Sequence, residues 1–134
     1  MKGELILASN LRIIRIRDLL KFTPQGNLDL STMKEGIKTI ASFGPFSEHD
    51  VFVDTRGTES HLSVTDVWVL AKELATVVQA GTSKGFRAKI SVLCPVEHFD
   101  HAQFFELCAQ NHGLNVQAFT SFEELFEWLS GSSK

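Results

Sequence analysis

Three short apolar runs, Val51-Phe52-Val53, Ala88 to Cys94 and Leu114 to Phe119, constrain this chain more than any other feature, because a stretch of helical periodicity follows each. A strand buried on both faces reads as an unbroken apolar run, and two parallel neighbours must be joined by a crossover that is usually a helix. The pattern predicts an α/β domain. Right-handed crossovers then bring the loops after Val53, Cys94 and Phe119 to one edge of the sheet, where ligands of open α/β sheets bind.

The helices between these strands carry their own punctuation. Ser63-Val64-Thr65-Asp66 has the form of a capping box and opens a helix whose stripe is Val64, Val67, Trp68, Ala71, Leu74, Ala75 and Val78, closed by Gly81. Leu70 and Val77 fall off that stripe, so they are expected to meet either a neighbouring helix or a second copy of the chain. His98 to His112 reads as the next helix, ending at Gly113, and Ser121 to Leu129 as the last, packed through Phe122, Leu125, Phe126 and Leu129. The tail Gly131-Ser132-Ser133-Lys134 is expected to fray.

The amino-terminal part reads differently. Leu5 to Ala8 and Leu11 to Arg17 predict a β-hairpin, with Ile14 and Ile16 alternating against Arg15 and Arg17. Thr23-Pro24-Gln25-Gly26-Asn27 is dense in turn formers, and Ser31 is the expected cap of a helix with apolar positions Met33, Ile37, Ile40 and Ala41, ended by Phe43-Gly44-Pro45. The order is a hairpin, a helix and three strand-helix units. At 134 residues and 43% apolar content, residues 1–134 suit a single domain.

This order, together with Val51-Phe52-Val53-Asp54-Thr55-Arg56-Gly57, the helix opening at Ser63 and the ending Ala118-Phe119-Thr120 to Trp128-Leu129, resembles the STAS superfamily and its small SpoIIAA-like bacterial proteins. The resemblance implies a mixed sheet opening with a hairpin, and a regulatory or protein-interaction module similar to the anti-sigma-factor antagonists. Those antagonists carry a phosphorylated serine in an Asp-Ser-Ser-Gly pattern at the start of the helix after the buried strand. Thr65 falls on that position, with Ser63 the second candidate; Ser63, Val64 and Asp66 stand where the pattern has aspartate, serine and glycine. Other members bind lipids or nucleotides, so a carrier of a small apolar ligand or lipid on the same scaffold is the alternative.

Reactive residues favour binding over catalysis. Cys94 after a buried strand, with Asp54-Thr55-Arg56 at an earlier strand end, has the layout of sulfurtransferases and cysteine phosphatases, which need free amides and a cation after the thiol. Pro95 removes the first amide, and Glu97 and Asp100 stand where the cation should be, so Cys94 is expected to be a buried structural thiol. His98 and His101 with Glu97 have metal-like spacing, but a third matching ligand is missing and no metal or cofactor is expected. Asp54, Arg56 and His98 remain as candidate ligand-binding residues. Thirteen Lys plus Arg against sixteen Asp plus Glu, scattered without a basic block, argue against nucleic acid. Free cysteines and the lack of a signal-peptide core or spanning run point to a cytoplasmic protein, with a protein partner as the expected association and a homodimer as the alternative that Leu70 and Val77 leave open.

Overall fold

The structure, a computed structural model, describes residues 4–8, 11–16, 19–42, 50–80 and 89–131. The expected helix stop at Phe43-Gly44-Pro45, the Gly81 stop, Arg17, Ala88 and the end of the tail lie outside them. Among the described residues eight strands form two sheets. The larger has the order β1-β2-β3-β5-β7-β8, built from β1 (Glu4–Ala8), β2 (Leu11–Ile16), β3 (Leu19–Pro24), β5 (Asp50–Asp54), β7 (Ile90–Leu93) and β8 (Val116–Phe119). β1 to β3 pair antiparallel, whereas β3, β5, β7 and β8 run parallel, so the sheet is mixed and the hairpin opens it as expected. A second, two-stranded parallel sheet joins β4 (Gly26–Leu28) to β6 (Thr58–Ser60).

β3 and β4 replace the expected turn region. Leu20, Phe22 and Pro24 alternate inward along β3, and the turn formers serve only to redirect the chain, through Gly26 at φ 79°, into β4. The helix α1 (Leu30–Ala41) starts earlier than the Ser31 cap implied. Asp29 is the cap, its carboxylate accepting the Thr32 amide at 2.8 Å, and Leu30 already packs against the core. α1 lies close on β3 because Gly36 has no side chain; a Cβ there would fall on the Phe22 ring.

The helix α2 (Val64–Ala80) opens on the expected capping box: the Asp66 amide donates to Ser63 Oγ at 3.0 Å, and the Ser63 amide to Asp66 Oδ2 at 3.1 Å. Its buried stripe is Val67, Leu70, Ala71, Leu74, Ala75 and Val78, rotated away from Val64 and Trp68, which are 56% and 45% exposed. Leu70 is 3% exposed and Val77 packs on the same core, so the neighbouring-helix alternative holds and this flank is closed to a second copy. α2 sits between α1 and α3 (Phe99–Asn111), which bury the flank that a lone amphipathic helix would leave in water.

One core joins α1, α2 and α3 to the sheet through Leu20, Phe22, Val51, Val53, Ile90 and Val116. On the opposite face α4 (Phe122–Ser130), capped by Ser121, closes a smaller core of Phe52, Leu93, Phe119 and Leu125. Leu125 is fully buried and Leu129 packs beside it. Phe122 and Phe126, expected inward, stack on each other and remain 48% and 59% exposed, because one short helix over a sheet buries only the residues directly beneath it.

Candidate functional site

The parallel strands end at a common edge, and the residues just beyond them set its chemistry. Asp54 closes β5 and is held by its own loop: the Arg56 amide donates to Asp54 Oδ1 at 3.1 Å, and the guanidinium Nε and Nη2 donate to Oδ1 and Oδ2 at 3.0 Å each. Burial works to raise the Asp54 carboxyl, but the bonds from Arg56 outweigh it and hold the group below the usual carboxylate range. The two residues singled out from sequence therefore satisfy each other.

Thr55, between them, points the other way. It is 7% exposed, donates from Oγ1 to the Leu93 carbonyl at 3.1 Å, and lends its own carbonyl to Thr58 Oγ1 at 2.7 Å. Cys94, after β7, is 3% exposed, with Sγ 3.7 Å from the Phe119 carbonyl. Burial pushes its thiol up to about 11, which leaves it protonated and unreactive at neutral pH, as its sequence surroundings predict. Among the described residues no group of three or more His, Cys, Asp or Glu could hold a metal ion.

Thr55 and Cys94 border a cavity of about 120 Å³ between the sheet and helices α1 to α3. Its floor comes from Phe22, Val51, Val53, Ile90 and Val92 on the strands; its roof comes from Met33, Ile37 and Ile40 on α1 and Leu70 and Leu74 on α2. A single face of α3 and the 3-10 turn before it, Val96–His98, contributes His98, His101, Ala102 and Phe105, of which His101 is exposed and the others half-buried. His98 is thus brought to the cavity, while Asp54 and Arg56 are not. Filling an apolar space of this size is worth about 3 kcal/mol at roughly 24 cal/mol per Å³.

Sequence reading missed the cavity itself, whose walls come from strands β3, β4, β5 and β7 and helices α1, α2 and α3. The spacing His98, His101, Ala102, Phe105 marks one helix face and was the one visible trace of it. It also missed the exposed ladder Val64-Trp68-Lys72 on α2, where the Lys72 amine lies 5.0 Å from the Trp68 ring centre. Thr65 is exposed on the first turn of α2, whereas the Ser63 hydroxyl is engaged in the cap.

Among the described residues, a hairpin-led mixed sheet with three helices on one face and a fourth on the other gives a SpoIIAA-like fold. The structure of the anti-sigma factor antagonist SpoIIAA in its unphosphorylated form matches with a TM-score of 0.51 at 12% identity over 96% of both chains. A protein of the DUF3478 family with a SpoIIAA-like fold from Shewanella loihica matches at 0.49 and 15% identity, over 95% of this chain and 94% of that one. No protein-family model matches the sequence, and no curated protein matches it.

Proposed function

We propose that this chain is a non-catalytic interaction module that docks a protein partner through the amino-terminal half of α2. The observation that carries this reading is the exposed Val64 and Trp68, stacked one helical turn apart at the edge where the parallel strands end. Large apolar side chains left in water side by side cost the protein solubility, and Trp is the residue most often found at the energetic centre of an interface. Lys72 over the indole adds a charge that suits an acidic rim on the partner. The likeness to SpoIIAA agrees with this reading through the shared fold.

Thr65 fits as a regulatory position within the same surface. Its hydroxyl is exposed next to Val64, and a phosphate there would gain from the helix amino terminus while meeting Asp66 one residue on. The lipid-carrier alternative is the weaker one, because the cavity of about 120 Å³ falls well below the several hundred Å³ that larger ligands require.

The test is capture of partners from the native cells with the wild-type chain and with Trp68→Glu. The variant should keep its circular dichroism and lose the partner, with affinity falling at least about thirtyfold, as for an interface hot spot. Unchanged capture by a folded variant would remove the α2 surface from the interface. Light scattering on both proteins separates a second copy of the chain from a different partner.

A further inference from the structure

We propose that the cavity beneath α1, α2 and α3 is a binding site for a small uncharged molecule, of about benzene size, with one hydrogen-bonding group that meets His98 and His101. The site is separate from the partner surface, since neither Val64 nor Trp68 lines it.

Size comes first. A space near 150 Å³ lined by aliphatic and aromatic side chains accepts benzene, so about 120 Å³ suits a compact molecule of roughly that size and excludes an extended chain. Charge comes next. No Lys, Arg, Asp or Glu is among the described residues that line the cavity, so a phosphate or an ammonium group would be buried without a counter-charge.

The polar groups then set the orientation. Thr55 already gives its hydroxyl proton to the Leu93 carbonyl, and Cys94 turns its thiol to the Phe119 carbonyl. Deep in the cavity the donors are spent, and a water molecule there would lack the two to four partners it needs. At the mouth, no bond within the described residues occupies the imidazoles of His98 and His101, each of which can donate or accept. The bound molecule therefore places its apolar body inward and its hydroxyl or carbonyl group between the histidines. Ala102, between them and Phe105 on the same helix face, also lines the cavity, and a larger side chain there would take up part of its space.

The experiment is an amide NMR titration of the full chain with benzene and with phenol. Both should shift the amides of Val92, Cys94, Ala102 and Phe105, and phenol should bind about three- to tenfold more tightly, the value of one net hydrogen bond. The double variant His98→Ala/His101→Ala should bind the two probes equally, and Ala102→Phe should bind neither. Absence of shifts at these amides in the wild type would overturn the site, as would unchanged binding by a folded Ala102→Phe. Should that variant fail to fold, the double histidine variant still decides: a preference for phenol that survives in it overturns the assignment of the mouth.

Discussion

Cys94 shows how position decides what a residue can do. A thiol at a strand's carboxyl end is a common place for a nucleophile, yet burial pushes this one up to about 11, and the chain after it turns into a 3-10 segment with Glu97 in its first turn. The shift has a consequence for stability. In the unfolded chain the thiol ionises near pH 8.5, while the folded one stays protonated to about 11, so between those values the unfolded state has lost a proton that the folded state keeps. Stability is therefore fully present below about pH 8.5 and falls as pH rises toward 11, by about 3 kcal/mol from this group alone. Urea unfolding of wild type and Cys94→Ala at pH 7.5 and pH 10.5 should show a steeper loss in the wild type. Parallel losses would mean that the thiol ionises in the folded protein as it does in water. Asp54 behaves oppositely: its lowered pKa makes its stabilising pair with Arg56 fade only as pH falls through the acid range, and the half-exposed guanidinium keeps that contribution below about 1 kcal/mol.

At the scale of elements, capping and close approach fix where helices begin and how near they lie. The Ser63–Asp66 box starts α2 as sequence predicts, because every contact it needs lies within four residues. α1 instead depends on a contact across the fold, where Gly36 passes over the buried Phe22 ring. Gly36→Ala gains about 1 kcal/mol of helix propensity but drives a Cβ into that ring, and overpacking costs about 1–3 kcal/mol. We expect the variant to be destabilised by about 1 kcal/mol in urea unfolding, with Phe22 displaced toward the cavity and benzene bound less tightly. A stabilised variant would show that the ring moves aside without resistance. The same element-scale logic explains Trp68 and Leu70. Periodicity assigned Trp68 to the buried stripe and Leu70 to a flank, but α1 and α3 on either side of α2 turned that stripe toward Leu70.

For the whole molecule the layers are unequal. Among the described residues three helices cover one face of the sheet and α4 covers part of the other, so the smaller core of Phe52, Leu93 and Phe119 depends on one nine-residue helix. Leu125, fully buried at its centre, is the residue that anchors it. Leu125→Ala should cost about 3 kcal/mol and expose an aromatic surface, measured by urea unfolding and by binding of a hydrophobic dye. A loss below about 1 kcal/mol would mean that the face is held without α4. No helix among the described residues is long and apolar enough to cross a membrane.

The sequence by itself determined whatever rests on neighbours along the chain. The buried strands at Val51 to Val53 and around Ile90 and Val116, the opening hairpin, the capping box at Ser63 and the crossover order are all set by local periodicity and backbone hydrogen-bonding needs. Only the tertiary structure decided what depends on residues far apart meeting in space. β3 took up the stretch before the turn formers because Leu20 and Phe22 could alternate against β5, and β4 found β6 some thirty residues away. Asp54 and Arg56 were visible as a pair and closed on each other. His98 was visible as a candidate, but the cavity it lines was not, because a space between strands and helices far apart in sequence leaves no pattern along the chain, only the volume that their side chains together fail to fill.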